Sequence, residues 1–418
     1  EQGTLTASVF GSTAEAGRSL SSLRMLYKTL SPEFRRDQKL IKQALKNSGG
    51  REQIERVAER LTELGDDPLA QVKYVNSLYK PKFADYIDWY WYNSLLSGPK
   101  TQIRNIVGTA NNIGVRIASK PFSAFVDAMK TGTARLAGKQ RKRQVLLGEL
   151  PSEVMGLFKG VPEGVEKAMY IVKNGMSLDD VARTELSAPE VFGNVLGGKL
   201  AMPANIVSRT LQAADTFMKT VAGSSELNAL AFKAAKQKKL KGDDFAKFVQ
   251  EYLDNPPESA LEQMKYVAET DTFTKRLGTQ AEYLNKFRQN FTIHPGGKEY
   301  TVWNPMKILL PFYRTIVNIT KQGVEFSPVG LLSGAVKGTA RQSSQAQGKA
   351  LLGTVLGLPF AYLAAQGSIS GDGPKDKRLR ESLMKEGWRP NSIKVGDKWV
   401  SYQLLQPFNT MLAVMGNI

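Results

Sequence analysis

The feature that most constrains the fold is a run without any charged side chain, from Ala350 to Gly371. Its apolar part ends at Ala365, and Pro359 interrupts it. A helix needs about 20 apolar residues to cross a bilayer, so the segment is marginal as a membrane span. Two interpretations stay open: a helix that enters a membrane, and a helix buried in a protein core. Basic residues flank the run on both sides and could contact lipid phosphates: Lys337, Arg341, Lys349, Lys375, Lys377, Arg378 and Arg380.

A Gly-rich break, a basic helix and a hairpin follow this apolar segment. The break is Gly367 to Pro374. Beyond the basic helix, residues 392–395 and 398–402 alternate in side-chain character, and Gly396-Asp397 is a two-residue connection that closes a tight turn. The pattern predicts a hairpin near 391–403. A second hairpin is predicted near 291–303, with its turn at Pro295-Gly296-Gly297.

Four segments, in this order along the chain, resemble a known class of proteins. They are residues 91–105 (WYNSLLSGPKTQIRN), 310–318 (LPFYRTIVN), 367–374 (GSISGDGP) and 387–408, which includes the hairpin. In these segments the chain is similar to the large internal virion proteins, or ejection proteins, of short-tailed bacteriophages and to large polyvalent phage proteins. None of the four segments is a catalytic signature.

The resemblance implies a structural role. Such a protein is stored inside the virion and released into the host envelope, the periplasm or the membrane. There it assembles with itself and with other ejection proteins into a conduit for the genome. The simplest conduit is a ring of identical subunits that contact one another through two different patches. The resemblance, and an apolar run at the C-terminal end, also predict that the sequence is part of a longer chain.

The predicted fold is mainly α, an elongated multi-helix assembly with the two small hairpins. Helix caps and Gly or Pro stops divide it in chain order. The predicted parts are a helical bundle (1–98), an amphipathic helix with a basic segment (99–148), a helical middle region (149–290), a hairpin with helices (291–349), and the apolar helix, Gly-rich break, basic helix and second hairpin (350–418).

An amphipathic helix is predicted over Thr101 to Met129, with Ile106, Ile113 and Ile117 on its apolar arc. It has two interpretations: a helix packed on the bundle, or a helix that lines or enters a membrane-associated assembly. Its opposite arc carries cations and amides but no acid: Arg104, Asn105, Asn112, Arg116, Ser119, Lys120 and Ser123.

Charge favours an anionic partner. The chain has 57 Lys and Arg against 39 Asp and Glu, a net charge of +18. Two basic runs, 130–148 and 233–241, contain no acid, which favours contact with the double-stranded DNA backbone, sensitive to salt and blind to sequence. Solubility alone is the competing explanation. The predicted DNA contacts are Arg135, Lys139, Arg141, Lys142, Arg143, Lys236, Lys238 and Lys239.

Contacts with membrane or with other subunits are predicted from apolar and aromatic residues. Trp89 and Trp91 belong to an aromatic cluster that fits either an interface or a corner between packed layers. The full set is Leu352, Val355, Leu356, Phe360, Ile106, Ile113, Ile117, Trp89 and Trp91.

No catalytic, cofactor or metal site is predicted. The chain has no cysteine and one histidine, His294, so thiolate zinc sites and iron–sulfur clusters are excluded and a Ser-His-Asp triad has little support. The alternatives to a structural role are a cell-wall hydrolase or other enzymatic region of a large virion protein, and a sequence-independent DNA-binding protein.

Overall fold

Helices dominate the fold, as predicted. A computed structural model describes residues 60, 63, 90, 91, 93–174, 206–293, 300–303, 305–335 and 338–417, and within them the chain forms 13 α-helices and two small antiparallel sheets. The contacts group into two units. One comprises residues 1–94 and 169–212, and the other comprises residues 95–168 and 213–418. The predicted bundle over 1–98 lies almost wholly outside the described residues.

The described helices are α1 (Pro99–Ala118), α2 (Lys120–Leu136), α3 (Leu150–Asn174), α4 (Ile206–Gln237), α5 (Gly242–Asp254), α6 (Glu258–Asp271), α7 (Thr279–Gln289), α8 (Met306–Leu309), α9 (Tyr313–Glu325), α10 (Val329–Ala335), α11 (Ala340–Ala365), α12 (Lys377–Lys385) and α13 (Phe408–Gly416). A 3-10 turn, Leu147–Glu149, leads into α3. The strands are β1 (Asn290–Ile293), β2 (Tyr300–Trp303), β3 (Ile369–Ser370), β4 (Ser392–Val395) and β5 (Lys398–Ser401).

The single helix predicted over Thr101 to Met129 is two helices. α1 ends at Ala118 and α2 begins at Lys120, with Ser119 between them. Pro121 explains the break, because a proline has no N–H to donate to the preceding turn and its ring clashes with that turn. The Ser119 hydroxyl donates to the Arg116 carbonyl oxygen at 2.7 Å at this junction.

The Gly and Pro residues over 150–205 favour short helices joined by loops. Over 150–174 the chain instead forms one continuous helix, α3, which contains Pro162. Gly156 and Gly160 lie against the backbone of α4. A Cβ on Gly156 would be 2.6 Å from the Ser224 carbonyl oxygen, and one on Gly160 would be 3.0 Å from the Val221 Cα. The glycines therefore allow two helices to approach closely.

Both predicted hairpins are confirmed. β1 pairs with β2 in antiparallel register, Asn290 opposite Trp303. β4 pairs with β5, and Val395 lies opposite Lys398, which leaves Gly396-Asp397 as the two-residue turn. Gly396 has a φ of 59°, as the first central position of a type II′ turn requires.

The Gly-rich break contains a third strand that the sequence analysis did not predict. β3 pairs with β4, with Ile369 opposite Ile393. Tyr402 closes this small sheet, because its hydroxyl donates to the Ser370 carbonyl oxygen at 2.8 Å. The buried cluster under the sheet is Ile369, Tyr402 and Leu412, with Phe360, Leu363, Ala364, Ile393, Phe408 and Ala413 packed against it.

α11 is the central helix of its unit, and it begins ten residues before the predicted apolar segment. Thr339 caps it, with its hydroxyl accepting from the Gln342 N–H at 3.2 Å and the Gln342 side chain accepting from the Thr339 N–H at 3.1 Å. The N-terminal half packs closely on α2. A Cβ on Gly348 would lie 2.5 Å from the Ser123 Cα. The helix continues through Pro359 to Ala365.

Candidate functional site

Most of the polar arc of α1 and α2 faces the interior of the protein, although Arg104 and Asn105 near the start of α1 are exposed. Asn112, Arg116, Ser119, Lys120 and Ser123 are all buried. Several large apolar residues of the same two helices are exposed, whereas the apolar Ile113 and Ala124 are buried. The exposed apolar residues are Ile103, Ile106, Phe125, Met129 and Leu136.

Arg116 lies at the centre of a buried network of charges. Its Nε donates to Asp271 Oδ2 at 2.6 Å, and its Nη1 pairs with Glu153. Its Nη1 is also 3.9 Å from Glu226 Oε2, and its Nη2 donates to the Ser225 hydroxyl at 3.2 Å. One guanidinium from α1 thus joins α3, α4 and the end of α6.

A second buried arginine, Arg341, belongs to the same network. Arg341 on α11 donates from Nη2 to Glu149 Oε2 at 2.8 Å and from Nε to Glu226 Oε1 at 2.7 Å. Lys120 Nζ lies 3.0 Å from Glu149 and 2.8 Å from Glu153, as close ion pairs without hydrogen-bond alignment. The network consists of Arg116, Lys120, Arg341 and Lys349 with Glu149, Glu153, Glu226 and Asp271, so its formal charges cancel.

The buried cations keep two of the glutamates ionised. Burial by itself would raise the pKa of Glu149 and of Glu226, but the charges of Arg341 and Lys120 outweigh burial, and both pKa values lie below the ordinary range. At Asp271 burial outweighs its cationic neighbours, and the pKa is raised. Because Glu149 and Glu226 are buried and ionised, neither resembles the protonated, cleft-lining acid that glycan cleavage requires.

Asp127 on α2 is a second buried hub, and it binds the first basic run. Its Oδ1 accepts from Arg141 at 3.0 Å and from the Ser344 hydroxyl of α11 at 3.1 Å. Its Oδ2 accepts from Arg143 at 3.1 Å and from the backbone N–H of Gln144 at 2.7 Å. The carboxylate thereby fixes the segment after α2 against α11.

A cavity of about 20 Å³ lies beside Asp271, with Arg116 and Lys349 in its wall. Lys349 Nζ is 4.0 Å from the Asp271 Oδ1 atom, which accepts no hydrogen bond. The space holds about one water molecule and is too small for a sugar or a nucleotide.

The outer half of α11 is exposed and apolar. Val355, Leu356, Leu358 and Tyr362 are exposed, and Leu358 retains 69% of its accessible surface. α11 is long and apolar enough to span a membrane by length and composition, with one third of its most apolar window buried. The buried half of the helix is by contrast polar: Arg341, Ser343, Ser344, Gln345 and Lys349.

The predicted membrane or subunit contacts divide into two groups. Ile106, Val355 and Leu356 are exposed and Ile117 is partly exposed. Leu352 and Ile113 are buried in the chain's own core, so these two are not available to a partner in this structure, and Phe360 is partly buried against the C-terminal cluster. Trp91 is partly buried, and Trp89 lies outside the described residues.

The predicted DNA contacts divide in a similar way. Arg141 and Arg143 are bound to Asp127, so their charge is already partnered. The other predicted contacts are exposed: Arg135, Lys139, Lys142, Lys236, Lys238 and Lys239. The acids that bind the cations were not found by sequence reasoning, because single carboxylates spread over several helices form no local motif.

Comparisons with known protein families, curated proteins and solved structures assign this chain to no family. No protein-family profile, curated protein or solved structure matches the chain. Within the described residues no group of acids or histidines could hold a metal ion, and His294 lies outside those residues.

Proposed function

We propose that this chain is a structural component of a bacteriophage ejection apparatus. It is stored in the virion and released into the host envelope, where copies of it, together with other ejection proteins, form part of a conduit for the genome. The resemblance of four segments to ejection proteins supports this proposal. The observation that carries it is that a neutral set of charged side chains is buried while many large apolar side chains are exposed.

The exposed apolar side chains are large and recur on many helices. Phe158 on α3 and Leu332 on α10 retain 72% and 79% of their accessible surface. A soluble monomer keeps exposed apolar patches small, because burying each such side chain is worth roughly 1.5–3 kcal/mol. Such a surface is suited to cover by lipid or by neighbouring copies of the chain.

The neutral charge network can stabilise the packing of the helices when the outer surface is covered by lipid or by another subunit. Apolar packing loses its driving force where the surroundings are themselves apolar, but an ion pair does not. Removing one member of a buried pair leaves an uncompensated charge, at a cost of about 3–5 kcal/mol. The Arg116 and Arg341 contacts therefore hold the helices together when the outer surface is in lipid or against another subunit.

A structural role is preferred over the enzymatic alternative because of where the acids lie. Glu149, Glu153, Glu226 and Asp271 are buried and within contact of Arg or Lys. The adjacent cavity admits about one water molecule. Zymography on peptidoglycan with the purified chain tests this directly, and a cleared band would overturn the structural assignment.

Liposome flotation and mass measurement on a Leu356→Asp variant test the proposed surface. Leu356 is exposed, so the variant should fold, but an Asp in the centre of a membrane helix costs about 2.5–3.5 kcal/mol. We expect loss of liposome binding or of oligomers. The matched control is Leu379→Asp, an exposed leucine on the basic helix α12, which should behave like the parent. If Leu356→Asp assembled and bound liposomes unchanged, the outer face of α11 would have neither role.

A further inference from the structure

The two basic runs, far apart in the sequence, meet at one corner of the fold. Gln237 at the end of α4 donates from Nε2 to the Arg143 carbonyl oxygen at 3.0 Å. Nearby, a Cβ on Gly148 would be 3.3 Å from the Phe232 ring. The segment after α2 and the end of α4 therefore form one surface, the basic corner, and its exposed lysines are Lys139, Lys142, Lys236, Lys238, Lys239 and Lys241.

The lysines of the basic corner are not neutralised by ion pairs. Among the residues that the structure describes, none of the six forms a salt bridge, whereas Arg141 and Arg143 are both held by Asp127. The acids nearest in sequence are Asp243 and Asp244, in the first turn of α5. At that position they interact favourably with the helix dipole, and neither forms an ion pair with a lysine of the corner in the described structure. The corner keeps a surplus of positive charge.

An aromatic cluster lies beneath two of the lysines. Phe232 of α4 and Phe245 of α5 contact edge to face, with ring centroids 5.4 Å apart. Lys236 Nζ is 5.6 Å from the first ring centroid and 5.4 Å from the second. Lys238 Nζ is 4.3 Å from the centroid of Phe248. These are cation–π distances, so the rings restrict where the two ammonium groups can lie.

We propose that the basic corner binds the phosphate backbone of double-stranded DNA, and that Phe245 and Phe248 are positioning residues that hold Lys236 and Lys238 for that contact. The inference rests on the proposed function, because it assigns the surface of the subunit that meets the genome. It also moves the contact away from Arg141 and Arg143, whose charges serve the fold.

The chemistry of the corner favours the backbone of a duplex over unpaired bases. A lysine ammonium is a point charge that suits a phosphate and reads no base edge. Proteins that hold single strands stack bases on open aromatic faces. Here Lys236 and Lys238 lie over the rings, so the faces are already occupied. Binding should be independent of sequence and weaken steeply with salt.

The first test compares two charge-matched triple variants. One carries Lys236→Ser, Lys238→Ser and Lys239→Ser at the corner. The other carries Lys377→Ser, Arg378→Ser and Arg380→Ser on α12, and it lowers the net charge by the same amount. Binding to a short duplex is followed by fluorescence anisotropy over a series of salt concentrations.

We expect the corner variant to lose at least about tenfold in affinity at low salt, with a salt slope shallower by about 2–3, since each phosphate contact contributes about 0.9. The α12 variant should keep the parent slope. Equal losses in both variants would mean that net charge alone drives binding. No loss in the corner variant would mean that its lysines do not contact DNA. Equal losses in both variants, or no loss in the corner variant, would overturn the proposal.

The second test concerns the rings. Phe248→Leu keeps an apolar side chain but removes the ring face, whereas Phe248→Tyr keeps the face. We expect the leucine variant to bind the duplex several-fold more weakly with an unchanged salt slope, and the tyrosine variant to bind like the parent. Melting curves confirm that each variant is folded.

A comparison of an abasic single strand with a base-bearing strand tests whether the rings stack on bases instead. If the rings only position lysines, abasic and base-bearing strands of equal length bind alike. Weaker binding of the abasic strand would show base stacking and overturn the positioning role. These results are independent of assembly, since a failure at the corner leaves the proposed conduit untouched, and a chain that never oligomerises can still bind DNA through the corner.

Discussion

At the scale of single residues, the buried carboxylates determine how the helices are held. Asp127 accepts hydrogen bonds from Arg141, Arg143 and Ser344, and it has no exposed surface. The basic run that looked like a DNA contact is thus partly a structural segment. A run of cations in the sequence does not reveal which carboxylate will pair with it in the folded protein.

Replacing Asp127 should destabilise the fold strongly. Asp127→Ala leaves the backbone N–H groups of Gln144 and Val145 and two partly exposed arginines without their acceptor, and we expect a loss of about 1.5–3 kcal/mol in the free energy of unfolding. The control is Glu163→Ala, which removes an exposed pair with Lys167 and should cost about 0–1 kcal/mol. Urea unfolding followed by circular dichroism measures both. Equal costs would show that Asp127 is not a hub.

The glutamates of the network should make stability depend on pH. Glu149 and Glu226 have lowered pKa values, so they contribute stability above the unfolded value of 4.5 and lose it as pH falls through the folded values. Asp271 has the opposite sign, because its raised pKa adds stability as pH falls.

We therefore expect Glu149→Gln to be less stable than the parent at neutral pH, with a shallower decline below about pH 5, and Asp271→Asn to show a steeper decline. Urea midpoints taken at neutral pH and at several acidic values give the slopes. Parallel curves for the parent and Glu149→Gln would contradict the pairing with Arg341.

At the scale of elements, α2 and α11 approach each other closely, and the Ser344 hydroxyl of α11 donates to Asp127 of α2. Gly348 lies against the backbone of Ser123, so Gly348→Ala forces the helices apart, and overpacking of this kind costs about 1–3 kcal/mol. Gly114 on α1 has open space around its Cα, so Gly114→Ala should instead stabilise by about 0.5–1 kcal/mol through helix propensity. Thermal melts of the two variants should move in opposite directions, and a shared direction would refute the packing described.

Elements governed by local chemistry could be predicted from the sequence. The β4–β5 hairpin follows from Gly396-Asp397, because a tight turn depends on neighbouring residues. β3 was missed since a two-residue strand in a Gly-rich segment forms only through its partner.

The charge network could not be predicted for a different reason. Arg341 and Glu149 are 192 residues apart in the chain, and no local pattern joins them. The sequence left the orientation of α1 open for the same reason. Its two arcs were visible, but which arc faces inward depends on acids that other helices supply.

At the scale of the whole molecule, the outer surface carries the proposed function. Charges that cancel are buried, and large apolar side chains such as Leu136, Phe158 and Leu358 are exposed. We expect a chain with this distribution to need a partner that covers the surface, and the proposed subunit of a ring or tube that meets lipid would supply that cover.

The most direct test of that claim is the mass of the purified chain over a wide concentration range, with and without detergent, followed by electron microscopy of any assembly. We expect a defined oligomer with a closed ring or tube, lost in the Leu356→Asp variant and kept in the Leu379→Asp variant. A chain that stays monomeric at every concentration, in detergent and without it, would contradict this expectation.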